Sequence, residues 1–134
     1  MAQRAECFVD TSALIAFLDR SDSHHPIFHR LFSDPPRLVT SSLVVAEGYG
    51  WFLRRYDQHR AVQFLNFLDE LPALTIQTFG RPELDKTAVI VKKFSDQVLT
   101  LADAHGLVII RERRIRTCWS TDRHLALTGA TLVI

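Results

Sequence analysis

Residues 6–18 read ECFVDTSALIAFL, and this segment predicts a buried strand that leads directly into a helix. The strand occupies residues 6–9. Asp10, Thr11 and Ser12 end it with side chains that suit a helix N-cap, and the apolar residues 13–18 continue as the helix. A buried strand that passes at once into a helix is typical of an α/β fold.

The rest of the chain repeats this alternation. We predict further strands at residues 38–40, 74–79, 116–120 and 130–134. Helices are predicted at residues 26–32, 60–71 and 82–94, after the Ser41–Ser42 cap through residue 52, and from the Thr100 cap to about residue 110. Strands separated by helices indicate an α/β sandwich with a mostly parallel sheet, organised as one domain over residues 1–134.

Composition excludes several classes of protein. Of the 134 residues, 47% are hydrophobic and 23% are charged, which excludes disordered and collagen-like chains. No apolar run approaches the ~20 residues of a membrane span, and the first residues lack the features of a secretory signal. Two cysteines, Cys7 and Cys118, do not make a disulfide framework. We therefore expect buried, reduced thiols and a cytoplasmic protein without membrane contact.

The charge balance argues against a protein that binds nucleic acid through net charge alone, because the formal net charge is only +1. Only three of the sixteen basic residues are lysines, so arginine dominates. Arginine presents a planar fork that suits phosphate and carboxylate groups. A genome rich in G and C would produce the same bias, and both explanations stay open.

Four acidic residues fall where the carboxyl edge of the sheet is expected. Asp10 ends the first strand and Asp122 ends the fourth. Glu47 and Asp103 lie in the first turns of helices that begin near the same edge. Open parallel sheets place their chemistry at the carboxyl ends of their strands, so we expect these acids to converge.

Converging carboxylates repel one another and need a compensating cation. A hard divalent ion held by oxygen ligands provides one, and such an ion activates water and binds a phosphodiester. A simpler interpretation also exists for three of the acids, since Asp10, Asp103 and Asp122 all occupy positions that suit helix caps or turns. Glu47 is harder to explain in that way, because it lies on an otherwise apolar helix.

These acids and their surroundings resemble the PIN-domain ribonucleases, in particular the VapC-like toxins of toxin–antitoxin pairs. The resemblance is carried, in order, by FVDTSALIAFLDRSDSHHP, SSLVVAEGYGWF, LTLADAHGLVII and RIRTCWSTDRHLALTGATLVI, and it covers essentially the whole chain. It implies a PIN-like three-layer α/β/α sandwich with strand order 3-2-1-4-5. The sequence departs from the family at Leu125, where Phe is common, and at Gly48 and Gly50, which closely follow the acid of their helix.

The resemblance also implies a set of site residues. The four acids that hold Mg²⁺ or Mn²⁺ are Asp10, Glu47, Asp103 and Asp122. The polar residues that support them are Thr11, Ser12 and Ser120, with Asp96 at a position that is often acidic in relatives. Candidate cations that hold the RNA substrate are Arg111, Arg113, Arg114, Arg116 and Arg123, although the run RERRIR is equally typical of a solvated helix end whose arginines face the helix dipole.

The implied function is a metal-dependent endoribonuclease, the toxin of a pair that is restrained by a cognate antitoxin and commonly forms a homodimer. Two alternatives remain. One is a PIN-fold nuclease of RNA processing, and the other is a non-catalytic α/β module that binds a partner and uses its acids only as caps. A receiver-like domain is disfavoured because residues 7–10 lack an acidic pair and no lysine follows residue 93. A phosphatase of the DxDxT type is disfavoured because residue 12 is Ser.

Overall fold

A computed structural model describes residues 5–133 of the chain. The strands are β1 (Glu6–Val9), β2 (Arg37–Ser41), β3 (Leu74–Gln77), β4 (Thr117–Trp119) and β5 (Thr131–Leu132). The helices are α1 (Thr11–Leu18), α2 (His25–Ser33), α3 (Ser42–Arg55), α4 (Gln58–Asp69), α5 (Arg81–Lys93) and α6 (Leu101–Glu112), followed by a 3₁₀ helix, η1 (Arg123–Ala126). None of the described helices is long and apolar enough to cross a membrane.

All five strands run parallel in one sheet with the order β3-β2-β1-β4-β5. Helices α1–α4 pack among themselves and α5 packs on α6. Right-handed crossovers place these two groups on opposite faces of the sheet. The predicted three-layer sandwich and its strand order are therefore confirmed. The central strand β1 is covered on both faces, as Phe8 and Val9 are fully buried, so its carboxyl end opens only at the edge of the sheet.

Three strands are shorter than predicted, and one of them ends where its partner ends. Strand β3 pairs with β2 up to the contact between Ser41 and Gln77. Beyond Ser41 the partner becomes helix α3, so the predicted residues 78–79 have nothing to pair with. Strand β4 spans only Thr117–Trp119 rather than residues 116–120. Strand β5 spans only Thr131–Leu132, which pair with Thr117 and Cys118. Ile134 lies outside the described residues.

Helix α4 also differs from its predicted limits of residues 60–71. The Asp57 side chain accepts a hydrogen bond from the Arg60 amide and so begins the helix at Gln58. The regular helix ends at Asp69. The Glu70 amide is shared between the carbonyls of Asn66 and Phe67, and the Leu71 amide bonds to the carbonyl of Leu68, three residues earlier. Pro72 explains this ending, because a proline disfavours helical backbone in the residue before it.

The two cysteines are buried free thiols, as the sequence predicts. Cys7 lies on β1 and Cys118 on the neighbouring β4. Burial raises the pKa of both thiols, so they remain protonated and unreactive near neutral pH.

One buried hydrogen bond connects the helices that carry Glu47 and Asp103. Ser41 caps α3 by accepting from the Leu43 amide, and its hydroxyl lies 2.6 Å from Nδ1 of His105 on α6. Ser41 and His105 are both buried, and burial lowers the pKa of the imidazole. A neutral His105 therefore holds the start of α3 against α6, which sets the spacing of these two acid-bearing helices.

Helix α3 is continuous through Gly48 and Gly50, although the sequence places its geometry in doubt at these positions. A methyl group at Gly48 would overlap the ring of Phe64 on α4. A methyl group at Gly50 would approach only the flexible end of Arg54, at 3.0 Å. Gly48 is thus required by the packing of α3 on α4, whereas Gly50 is not.

We predict opposite effects of alanine at these two glycines. Gly48→Ala lowers the free energy of unfolding by about 1–3 kcal/mol, because overpacking outweighs the gain in helix propensity. Gly50→Ala raises it by up to about 1 kcal/mol, since only the propensity gain applies. Urea unfolding of the two variants measures both values, and equal effects at the two positions would contradict the packing described here.

Candidate active site at the carboxyl edge of the sheet

Asp10 sits at the carboxyl end of β1, where it is 5% exposed. Its amide continues the sheet by donating to the Trp119 carbonyl of β4 at 3.0 Å. One carboxylate oxygen, Oδ2, accepts hydrogen bonds from the hydroxyls of Ser120 (2.8 Å) and Ser12 (3.2 Å). The two hydroxyls therefore fix the orientation of a carboxylate that faces the edge of the sheet.

The same two serines also hold the loop after β4. Ser12 accepts a hydrogen bond from the Thr121 amide at 3.0 Å, and Ser120 accepts one from the Asp122 amide at 2.8 Å. Each hydroxyl thus donates to Asp10 while it accepts from the backbone. This arrangement connects the ends of β1 and β4 and positions Asp122 beside Asp10.

Asp103 and Asp122 are oriented by local caps. Asp103 and Thr100 form a reciprocal capping box at the start of α6, with distances of 3.2 and 3.1 Å. Asp122 begins η1 by accepting from the His124 amide at 2.9 Å. The capping roles that the sequence suggested for Asp103 and Asp122 are therefore present, and they point both carboxylates toward the same edge. The capping role suggested for Asp10 is wrong, because Asp10 stands at the N-cap of α1 but its side chain makes no capping hydrogen bond there and instead accepts from the two serines.

Glu47 lies at the exposed rim of this edge. The Thr11 hydroxyl donates to its Oε1 at 3.5 Å, which is a long hydrogen bond. This contact joins the first turn of α1 to α3, so Thr11 supports Glu47 while Ser12, its neighbour, supports Asp10.

The electrostatics show that the four acids share one site. Burial, together with the nearby charges of Asp103 and Asp122, raises the pKa of Asp10 to about 6, against the opposing hydrogen bond from Ser120. Burial and the charge of Asp122 raise the pKa of Asp103. Partial burial and the other three carboxylates raise the pKa of Glu47. Among residues 5–133, no lysine or arginine forms an ion pair with any of the four, so the site has an unbalanced negative charge.

His124 is part of this site, and the sequence analysis missed it. Its Nδ1 lies 3.1 Å from Oδ1 of Asp122 and 3.7 Å from Oδ2 of Asp103. One possible ligand atom from each of Asp103, Asp122 and His124 lies within 4.8 Å of the others. The sequence did contain a signal, because His124 follows Asp122 by two residues. A tight turn at this point brings the ring of His124 back toward the Asp122 carboxylate.

The predicted arginines do not gather at the acidic edge. Arg123 follows Asp122 directly and lines the same cavity. Arg111, Arg113, Arg114 and Arg116 lie at or beyond the far end of α6, whose first turn carries Asp103. Arg113 binds both carboxylate oxygens of Glu6, at 2.8 and 2.7 Å, beside the start of β1. Four of the five predicted cations are thus at the opposite edge of the sheet.

Asp96 lies in the turn between α5 and α6 and is exposed. It accepts a hydrogen bond from Nε2 of Gln97 at 3.1 Å. Gln97 in turn lines the cavity that contains Asp122, so Asp96 is connected to the site only through its neighbour.

Comparison with known proteins matches this sequence and this fold. The profile of the PIN domain matches residues 7–130. Ribonuclease VapC26 of Mycobacterium tuberculosis (strain ATCC 25618 / H37Rv) is 32% identical over 116 residues, which make up 86% of this chain and 85% of that protein. The crystal structure of VapC20 of Mycobacterium tuberculosis, a sarcin–ricin loop cleaving toxin, superposes with a TM-score of 0.84 at 21% identity and covers 93% of this chain and 96% of its own. A toxin–antitoxin complex from Klebsiella pneumoniae superposes with a TM-score of 0.63 at 16% identity, covering 96% of each chain.

We predict that Asp10→Asn stabilises the metal-free protein at pH 7.5. The raised pKa of Asp10 means that the folded chain retains a proton that the unfolded chain releases between about pH 4 and 6. Wild-type stability therefore falls as the pH rises through this window, by up to about 3 kcal/mol. Asn cannot ionise, so the variant avoids this loss while it still accepts the Ser120 hydrogen bond.

Chemical unfolding at pH 4 and pH 7.5, in the presence of a chelator, measures the effect. The stability advantage of Asp10→Asn is expected at pH 7.5 and largely disappears near pH 4. Glu70→Gln, at an exposed acid beyond the end of α4, is the matched control. An advantage that is the same at both pH values would contradict the burial of a charged Asp10.

Proposed function

Since this chain belongs to the PIN-domain family, we propose that it is a metal-dependent endoribonuclease that cleaves phosphodiester bonds of RNA. The observation that carries the proposal is the convergence of Asp10, Glu47, Asp103 and Asp122 at one edge of the sheet without a balancing lysine or arginine. Capping alone accounts for the orientation of single acids but does not require four of them to meet. The relative VapC26 is named as a ribonuclease, which supports the same activity for this chain.

The donor set fits a hard divalent cation. Carboxylate oxygens are the ligands that Mg²⁺ and Mn²⁺ prefer. Asp10 and Asp103 are the most buried of the four acids, and we propose that they hold the ion chiefly, with Glu47 and Asp122 nearer to its water shell. Mg²⁺ is the proposed ion. His124 adds an imidazole nitrogen to this set, which favours a transition-series ion such as Mn²⁺ more than it favours Mg²⁺.

An ion held by these carboxylates would lower the pKa of a water molecule and would neutralise the charge that develops on the phosphate during hydrolysis. The chain's own residues prepare the site for this chemistry. Ser12 and Ser120 hold Asp10 in one orientation, and the capping box does the same for Asp103. Four preset carboxylates also repel RNA, so the phosphodiester approaches only when their charge is compensated.

The biological role that we propose is the toxin of a toxin–antitoxin pair, restrained by its antitoxin in the cytoplasm. The fold shared with a chain of a toxin–antitoxin complex supports this role, and the two free thiols suit a reducing compartment. We also propose a homodimer. Its support is a set of exposed apolar side chains on or beside α3 and α4, namely Leu53, Tyr56, Val62 and Leu65.

We predict that the purified protein cleaves structured RNA with Mg²⁺ or Mn²⁺ and not with excess chelator. Asp10→Asn and Asp103→Asn each reduce the rate of cleavage by at least ~100-fold. Removal of a group that hydrogen-bonds to a metal ligand already lowers activity strongly, and removal of the ligand itself lowers it at least as much. Both variants retain the oxygen that accepts the Ser120 or Thr100 hydrogen bond, so their folds persist. Gel analysis of end-labelled RNA measures the rates.

Glu70→Gln is again the control and retains the wild-type rate. Binding of RNA or of a protein partner that is equal in all variants, with no cleavage in any of them, would instead identify a non-catalytic binding module. Cleavage that continues in chelator would contradict the role of the metal.

We also predict that His124 influences the choice of ion. His124→Ala lowers the affinity for Mn²⁺ about tenfold more than the affinity for Mg²⁺. Isothermal titration calorimetry with each ion measures this ratio. His59→Ala, which removes an exposed histidine on α4, leaves the ratio unchanged, and an unchanged ratio in His124→Ala would remove the imidazole from the proposed ligand set.

A further inference from the structure

A cationic cavity lies at the edge of the sheet opposite the acids. Its volume is about 520 Å³, and its cations are Lys93, Arg111, Arg114 and Arg116. Lys93 ends α5, Arg111 belongs to the last turn of α6, and the other two lie in the segment that leads into β4. No acidic residue of the described chain lines this cavity.

These four cations are available to a ligand, whereas their neighbour Arg113 is not. Arg113 is held by both oxygens of Glu6. The four cations are exposed, and within residues 5–133 none of them forms an ion pair. Like charges that line one cavity without partners create a positive potential, which attracts an anion.

The cavity wall indicates which type of anion fits. Arg114 has a φ of 54°, the left-handed conformation that commonly ends a helix, and the Ile115 amide donates to the Ile110 carbonyl at 2.9 Å, so this backbone is accounted for by the end of α6. The cavity also contains an aromatic side chain, Phe94, with Nζ of Lys93 5.4 Å from the centre of its ring. Cations combined with an aromatic ring are typical of sites that bind single-stranded nucleic acid, where phosphates contact the cations and a base stacks on the ring.

The cationic cavity and the acidic site are close enough for one nucleic-acid strand to reach both. A second cavity, of about 580 Å³, contains Asp122, Gln97 and Arg123. Leu127 lines both cavities, so they meet at this side chain. Arg111 follows Asp103 by eight residues on the same helix, which corresponds to ~12 Å. A strand of a few nucleotides therefore reaches from one site to the other.

We propose that the cationic cavity binds the backbone and one base of a single RNA strand, several nucleotides away from the bond that is cleaved. The strand passes from Asp122 along Arg123 and over Leu127 to Arg111 and Arg114. This inference rests on the proposed ribonuclease function, and it assigns to the arginine run a distal anchor rather than a contact with the reacting phosphate.

The test measures the affinity for unstructured RNA in chelator, where the strand binds without being cut. Wild-type protein is compared with Arg111→Gln/Arg114→Gln on strands of ~20 and ~4 nucleotides over a range of salt concentrations. The double variant loses about tenfold or more in affinity for the long strand, and its slope of log K against log salt falls by about 1.4, because each neutralised phosphate of a single strand contributes about 0.7. The preference for the long strand over the short one decreases accordingly.

Three further variants make the test specific. Phe94→Leu lowers the affinity for the long strand several-fold without a change in the salt slope, since stacking involves no counterion release. Arg116→Gln removes a single cation from the cavity, so the slope of log K against log salt falls by about 0.7. Lys92→Gln removes a charge from an exposed residue of α5 outside the cavity and retains the wild-type affinity and slope. Thermal unfolding confirms that each variant is folded.

A wild-type slope and affinity in the folded arginine variants would overturn the proposal. If the arginine variants bind RNA with wild-type affinity but lose affinity for an acidic peptide, the cavity is a protein-binding site. That result would also overturn the proposal. This test can be distinguished from the test of the proposed function. The wild-type protein could fail to cut RNA with Mg²⁺ or Mn²⁺ while the salt slope still differs between wild type and the arginine variants. The nuclease proposal would then fail, and the cavity would remain a site for single-stranded nucleic acid.

Discussion

The mutual repulsion of four carboxylates at one edge of the sheet is the constraint on which this structure depends. Parallel strands joined by right-handed crossovers necessarily bring their carboxyl ends to one edge, so the topology itself gathers Asp10, Glu47, Asp103 and Asp122. Folding this chain without a cation therefore works against electrostatic repulsion. Burial in the first place, and this repulsion in addition, raise the pKa values of three of the acids. A cation bound from solution is the best-placed group to compensate the negative charge of the four carboxylates.

Local hydrogen bonds allow the fold to tolerate this arrangement. Each buried or half-buried acid of the site also has a structural partner: two serines hold Asp10, a capping box holds Asp103, and the turn of η1 holds Asp122. These bonds orient the oxygens before any ligand arrives, and preorganised groups of this kind are what catalysis by electrostatics requires. For Asp103 and Asp122, the interpretation as caps and the interpretation as ligands are therefore compatible, because the capping bond also orients the carboxylate.

The sequence was sufficient for the parts of the structure that depend on local patterns. The alternation of strand and helix, the caps at Ser41 and Thr100 and the position of Asp10 all follow from neighbouring residues. The length of β3 did not, because this strand ends where its partner β2 ends. His124 was missed because its role depends on a tight turn that brings its ring back to Asp122. The arginine run was recognised, but its position at the edge of the sheet opposite to Asp103 follows only from the length and direction of α6.

Paramagnetic broadening by Mn²⁺ tests the convergence of the acids most directly. In two-dimensional NMR spectra of the labelled protein, substoichiometric Mn²⁺ is expected to broaden first the amide signals of residues 10–12, 47–48, 102–104 and 120–124, which belong to four separate parts of the chain. The signals around residues 111–116 are expected to remain sharp at the same ratio. Broadening confined to one of these segments, or spread over unrelated acidic residues of the surface, would contradict the existence of a single shared site.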